Sequence, residues 1–333
     1  MEILIEVLKY MKHLIVFNEK AGKGSEAASF KAQIEEAFKG LDYEIYVTPA
    51  PRAMISYLRE YLKKNNKDTV RVYACGGDGT VHEAANGLVG FANAELAIFS
   101  NGTGNDFVKT YAPTKNYDEI VAGAGARRFL DFKKLIAAEA KPIDVSKITG
   151  DSLEEPLYSI NVINFGFDAI VGAMGNYYKE HGSPADARGK EKNEPYTYAL
   201  NHDAMKHGRF NDIEVFADGE KLNEKQMLLS TLAQGQFVGA KFWCAPKSDN
   251  TDGLMDVCVL KTMTFLGLGM IIGTYTKGKH LDKPRKKIVY KRAKEVKIVA
   301  PNPIDLCVDG EMIKGKEFAV EVIPGAIKLV IPE

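Results

Sequence analysis

The chain has 333 residues, 44 Lys+Arg against 44 Asp+Glu, and 45% hydrophobic residues. At ~150 residues per domain, that length gives about two domains, each able to bury a core. A net charge of zero argues against nucleic acid as the main partner, because counterion release needs a surplus of Lys and Arg, and plentiful apolar residues argue against disorder.

In chain order, the start MEILIEVLKYMKHLIVF carries Glu2 and Glu6 where a signal peptide would be basic. Residues 1–10 read equally as an upstream extension or a short extra helix. The four cysteines, Cys75, Cys244, Cys258 and Cys307, form no C-x-x-C pair, so neither a zinc ribbon nor a disulfide scaffold is indicated and a reducing, cytoplasmic setting is expected. Leu14–Phe17, Glu44–Val47, Val70–Ala74 and Leu96–Phe99 are short apolar runs that predict buried strands. Between them, Phe30, Ile34, Ala37 and Phe38 recur at helical spacing, as do Met54, Ile55, Leu58, Tyr61 and Leu62. Strand–helix alternation predicts a doubly wound α/β domain over residues 1–145, with ligands beyond the carboxyl ends of its strands.

Two of those strand ends are rich in glycine. Cys75-Gly76-Gly77-Asp78-Gly79-Thr80 follows the Val70–Ala74 run. Small residues there let backbone N–H groups approach a ligand, and a helix start beyond them favours an anion such as phosphate. Thr80 and Glu83 have the spacing of a capping box, with Thr80 as N-cap. Ser100-Asn101-Gly102-Thr103-Gly104-Asn105-Asp106 follows Leu96–Phe99. The two loops would flank one crevice, with Asp78 and Asp106 placed to hold Mg²⁺, which prefers carboxylates, phosphate oxygens and water. The G-x-G-x-x-G fingerprint of dinucleotide sites is absent from both loops. Ala21-Gly22-Lys23-Gly24-Ser25 breaks the order of a P-loop.

After Pro142 the pattern changes. Tyr158–Phe165, Ile213–Ala217, Met227–Ala233, Leu254–Leu260, Lys287–Tyr290, Val296–Val299, Ile304–Val308, Phe318–Val322 and Ile327–Ile331 read as strands separated by Gly, Asn, Asp and Pro. Tyr196–Lys206 and Phe265–Tyr275 are the best helical candidates, the second as a core helix. A β-sandwich-like second domain is expected over residues 146–333, its segment from about residue 315 free to return to the first domain. The apolar run Thr262–Tyr275 is interrupted by glycine and too short to span a bilayer.

At these residues the chain resembles the diacylglycerol kinase catalytic-domain family, the lipid kinases that include bacterial diacylglycerol kinases and the sphingosine and ceramide kinases. Asn18 with Ala21–Gly24, Gly76–Thr80 with Asn86-Gly87-Leu88, and Gly102–Asp106 resemble its first three blocks. Pro142–Asp144, Asn164–Ala169, Asp252–Val257 and Val308–Glu311 resemble its later ones. Ser100 and Glu19 stand where the family usually has proline.

The resemblance implies an ATP- and Mg²⁺-dependent kinase that phosphorylates a lipid hydroxyl, diacylglycerol first, at a membrane surface. Glu311 would be the general base, with Asp78 its rival. Asn18, Thr48, Gly76, Gly77, Asp78, Gly79, Thr80, Thr103 and Asn105 would bind ATP. Asp78 and Asp106 would hold the catalytic Mg²⁺, and Asp144 and Asp168 would serve the substrate side. Asp249, Asp252 and Leu254 could form a separate structural cation site. By the bare residues alone, Asp168 also fits a polar strand end, and Asp309-Gly310 a hairpin turn that leaves Glu311 exposed. The alternatives are a sphingoid-base or other lipid kinase, a NAD kinase, and a non-catalytic lipid-binding protein. Self-association stays open.

Residues 277–294 hold nine Lys or Arg against Asp282. Such a patch could approach an anionic leaflet, each charge contributing roughly 1 kcal/mol near the surface. It also fits a solvated loop followed by a charged edge strand.

Overall fold

A computed structural model describes residues 11–17, 27–184, 195–283 and 286–333. Residues 1–10, Asn18 with the Ala21–Ser25 turn, and Arg285 of the basic segment lie outside the described residues. The chain divides into two compact units, one of residues 1–145, 237–241 and 323–333, the other of residues 146–236 and 242–322.

The first unit is built on parallel strands. β1 (Lys12–Phe17) pairs with both β2 (Tyr43–Val47) and β3 (Val70–Gly76), and β3 pairs with β4 (Ala94–Ser100). The spatial order β2-β1-β3-β4 reverses direction between β1 and β3, which in open α/β sheets is the point where ligands bind. Right-handed crossovers running in opposite directions place helix α1 (Ala27–Ala37) on one face and α2 (Ala53–Lys64) and α3 (Asp78–Leu88) on the other. An aromatic cluster fills the α1 side, where Phe38 meets Tyr73 edge-on at 4.9 Å and Phe99 stacks on Phe132 at 4.2 Å. On the other side α2 buries Met54, Leu58 and Leu62. There Leu58 sits where a Cβ on Gly87 of α3 would be only 2.8 Å away.

The second unit is antiparallel. β7 (Val162–Gly166) lies between β10 (Met227–Ala233) and β13 (Glu295–Val308), and β10 leads through β11 (Met255–Lys261) to β12 (Ile288–Ala293). β13 also pairs with β8 (Glu214–Ala217), itself paired with the short β9 (Glu220–Lys221), through Val296–Val299, and with β14 (Glu311–Val330) on its other side. The long β13 thus serves β7 at one end and β8 at the other, with an irregularity between Val299 and Ile304. Ile163, Phe165, Val215, Leu232, Val257, Ile298, Leu306, Val308 and Phe318 form its apolar core. Two apolar runs read apart, Val296–Val299 and Ile304–Val308, are one strand, and so are Phe318–Val322 and Ile327–Ile331. The reverse holds at Tyr158–Phe165, which splits into β6 (Leu157–Ser159) and β7.

The helices need two corrections. The Tyr196–Lys206 candidate is a helix from Pro195 to His207 with a π turn over Leu200–Ala204. A third helix, α4 (Phe167–His181), was not anticipated, and Asp168 belongs to its first turn rather than to a strand end. Among the described residues, no helix is long and apolar enough to cross a membrane.

Candidate active site

The first glycine loop leaves β3 at Gly76, beside the point where the strand order reverses, and enters α3 at once. The N-cap is Gly77, without a side-chain cap, and the first intrahelical bond runs from the Val81 N–H to the Gly77 carbonyl. The capping-box reading is therefore corrected: Thr80 lies inside the first turn. Its side chain packs so close to Gly76 that a Cβ there would be 2.2 Å from Oγ1. Glu83 does not reach back; its Oε2 is buried with no hydrogen-bond partner. The N–H groups of Asp78, Gly79 and Thr80 precede that first bond, so they are the unsatisfied donors of the helix start, where the dipole favours an anion.

The second loop packs directly on the first. A Cβ on Gly102 would lie 2.2 Å from the Gly77 Cα, and one on Gly104 would lie 2.6 Å from Asp78 Oδ2. Glycine here is a condition for two backbones touching. Asn105 holds the loop from within. Its Oδ1 accepts from the Gly102 N–H at 3.0 Å and its Nδ2 donates to the Gly102 carbonyl at 2.7 Å, with φ at 50°. Ser100, in place of the usual proline, donates to the Ala126 carbonyl at 3.0 Å.

This packing brings Asp78 and Asp106 together. The Asp106 N–H donates to Asp78 Oδ1 at 2.6 Å. Burial, and then the charge of Asp106, push the Asp78 carboxyl up to about 6. Asp106 is itself engaged: it accepts from Lys109 Nζ at 2.8 Å and from the Ala240 N–H at 3.0 Å. Lys109 also donates to the Ala240 carbonyl and lies over the Phe237 ring. Sequence reading missed Lys109 and the 237–241 segment, although a lysine three residues after an aspartate on a helical turn is a readable ion-pair signal.

The remaining predicted residues fall as follows. Thr48 is buried and its hydroxyl donates to the Ala50 carbonyl at 2.9 Å. Thr103 is exposed at the tip of the second loop. Asp144 is buried on β5 (Ala140–Gly150), where Oδ1 accepts from the Gly325 N–H at 2.9 Å. Asp168 accepts from the Ala169 N–H at 3.0 Å, and burial pushes its carboxyl up to about 7. Asp249 binds the Thr251 N–H and hydroxyl, whereas Asp252 is ion-paired with Arg292 and accepts from the Leu254 N–H. A guanidinium already neutralises the carboxylate assigned to the structural cation.

Glu311 is exposed at the start of β14. It follows a two-residue hairpin turn in which Asp309 and Gly310 have φ of 50° and 100°. Asp309, which the bare residues read as part of a hairpin turn, also anchors that turn. Its carboxylate accepts from the Ser159 hydroxyl at 2.6 Å and from the N–H groups of Ile160, Asn161 and Val162 at 3.0–3.1 Å. That cradle interrupts the Tyr158–Phe165 run and fixes the turn from which Glu311 projects.

Among the described residues no cluster of three or more His, Cys, Asp or Glu could hold a metal by itself. Mg²⁺ at nucleotides takes one or two carboxylates and completes its shell with phosphate oxygens and water, so the Asp78 carboxylate is a donor set that fits it. Asp106 is the weaker donor, already bonded to Lys109 and Ala240.

Comparison with known proteins follows the same blocks. Residues 12–148 match the diacylglycerol kinase catalytic domain, and residues 161–331 match the YegS C-terminal NAD kinase beta sandwich-like domain. The chain belongs to the diacylglycerol kinase and YegS-like lipid kinase family. It is 26% identical over 242 residues to a diacylglycerol kinase of Bacillus subtilis, covering 72% of this chain and 70% of that protein. It is 25% identical over 319 residues to a protein of Alcanivorax borkumensis named as a YegS-like lipid kinase, covering 94% and 95%. A crystal structure of a diacylglycerol kinase from Bacillus anthracis shares the fold at a TM-score of 0.65 over 96% of both chains, with 22% identity. The α/β unit and the β-sandwich-like unit of this lipid kinase therefore carry the family's two domains.

Proposed function

We propose that this lipid kinase transfers the γ-phosphoryl group of ATP to the hydroxyl of diacylglycerol, giving phosphatidic acid. The observation that carries the reading is the backbone contact of Gly77 with Gly102, which sets Asp78 beside the open N–H groups of α3. ATP phosphates would accept from the donors at Asp78–Thr80, aided by the helix dipole. Bound Mg²⁺ supplies charge neutralisation on the phosphates, and Asp78 is the residue that would hold it. Phosphoryl transfer has a loose transition state, so positioning and electrostatics outweigh base strength. Glu311 would take the lipid hydroxyl proton, and the Asp309 cradle would keep its carboxylate in place; Asp78 is the alternative base. Asp168 and Asp144 are assigned to the substrate side.

The test is labelled ATP offered with a panel of lipids, diacylglycerols and sphingoid bases included, alongside an assay for NADP. Phosphatidic acid is the expected product. Asp78→Asn and Glu311→Gln should each lower turnover by about two to four orders of magnitude, the range of a lost general acid–base group or charge anchor, with circular dichroism unchanged. Near-normal turnover in both variants would overturn the assignment.

A further inference from the structure

The sequence predicts a core helix at α5 (Phe265–Thr276), and one stripe of it is core: Leu268, Ile271 and Tyr275 are buried. The rest does not fit that role. Phe265, Leu266, Met270 and Ile272 are 54%, 75%, 66% and 39% exposed, and a Cβ on Gly269 or Gly273 would meet nothing within 4 Å. At about 100° per residue these six positions fill one outward arc of roughly 160°. The one polar side chain within that arc is Thr276 at the last position of the helix, its hydroxyl donating to the Ile272 carbonyl. A second, almost wholly apolar face therefore lies open to water, which a monomeric protein rarely leaves uncovered without use.

What surrounds this face identifies its partner. A cavity of about 700 Å³ runs beside the helix, lined by Phe265, Met270, Phe210, Arg209, Lys286 and Lys287 among others. Among the described residues lining it there are three cations and no carboxylate. The Arg209 guanidinium lies over the Phe265 ring, 3.6 Å from its centroid, and Phe210 is 52% exposed. Lys286 and Lys287 are exposed, and Lys287 Nζ donates to the Thr262 carbonyl, which adds no opposing charge. The wider basic segment contributes less than its composition promises, since Lys291 pairs with Glu220 and Arg292 with Asp252. Apolar wedge residues ringed by unopposed cations match an acyl-chain boundary under anionic headgroups, the arrangement of helices that lie in a membrane interface.

We propose that the outward face of α5, rimmed by Arg209, Lys286 and Lys287, docks on an anionic lipid bilayer. The apolar side chains enter the headgroup–acyl boundary while the cations meet lipid phosphates. The surface lies wholly within the second unit and does not depend on which lipid accepts phosphate.

The test measures sedimentation of the full chain with vesicles, without ATP. Vesicles are phosphatidylcholine alone or phosphatidylcholine mixed with phosphatidylglycerol, at low and high salt. Wild type should pellet with the mixed vesicles and be released by salt. Loss of each cation should weaken binding roughly fivefold. Leu266→Glu with Met270→Glu, and separately Lys286→Glu with Lys287→Glu, should each weaken it by about tenfold or more. Both pairs are surface positions, so circular dichroism should not change. Turnover of a short-chain diacylglycerol in detergent micelles should also be unaffected, which separates docking from catalysis. Equal pelleting of wild type and both double variants overturns the proposal, as does equal binding to neutral vesicles. Light scattering that finds a dimer dissolved by Leu266→Glu, with no vesicle binding, assigns the face to a second copy and also overturns it.

Discussion

Asp168 shows what burial does to a single carboxyl. It enters α4 with the Ala169 N–H as a bonding partner, and burial raises it to about 7. A carboxyl whose folded value lies above its unfolded one takes up a proton on folding. Its contribution to stability is then intact below about pH 4 and is lost as pH climbs to about 7. Asp168→Asn keeps the shape without the charge, so its melting temperature should fall less than that of wild type across that window. Parallel melting curves over those pH values would show that Asp168 does not titrate there. At the glycine loops the controlling quantity is distance instead. Gly102→Ala puts a methyl 2.2 Å from the Gly77 Cα, where both partners are backbone and neither can yield. Overpacking of this kind costs about 1–3 kcal/mol, and the loops must part. Titration calorimetry with Mg-ATP should find binding weakened at least about tenfold; unchanged affinity would mean the loop contact does not shape the nucleotide site. Asp309→Ala leaves three buried N–H groups and a hydroxyl without their acceptor, and should cost about 2–4 kcal/mol in urea unfolding.

Elements separate what local sequence encodes from what packing decides. Three of the four first-unit strands were legible as buried strands because a run such as Leu96–Phe99 is apolar on both faces and leads into a glycine turn. β2, expected to be buried, is instead a half-exposed strand with Glu44 and Ile45 open to water. α4 was not legible. Its sequence FDAIVGAMGNYYKEH has two interior glycines, each unfavourable by about 1 kcal/mol relative to alanine. Packing explains one of them: a Cβ on Gly175 would lie 2.1 Å from the Tyr196 ring. The capping box failed for a related reason. Thr80 and Glu83 have the right spacing, but the glycine turn starts α3 three residues earlier, with Gly77 as N-cap. Asp309 was readable as a turn residue and not as an anchor, since its acceptors' partners lie about 150 positions earlier in the chain. The pairing of β14 was equally hidden: Ile327–Ile331 reads as a strand, and nothing local says that Lys328 and Leu329 pair in parallel with Glu95 and Leu96 of β4. Ile327, Leu329 and Val330 are buried there. Truncation after Val322 should therefore strip the edge of β4 and raise amide exchange through β3 and β4. Unchanged protection of Val72 and Leu96 would show that the strand is dispensable.

For the whole molecule, two cores within one chain predict two thermal transitions rather than one, because each unit has its own apolar interior. A ligand that binds one folded unit stabilises it by mass action, about 2.7 kcal/mol at a hundredfold excess over the dissociation constant. Under the proposed function, a non-hydrolysable ATP analogue with Mg²⁺ should raise the transition of the unit that contains residues 1–145. Hydrogen exchange would locate the effect, with protection gained at the end of β3, the start of α3 and the Gly102–Asp106 loop. Asp78→Asn removes the carboxylate that would hold Mg²⁺ on the phosphates, so it should abolish the shift while the other transition stays where it was. Protection that rises in residues 146–236 instead, with the first unit unmoved, would place the nucleotide on the β-rich unit and remove the physical basis for assigning Asp78 to phosphoryl transfer.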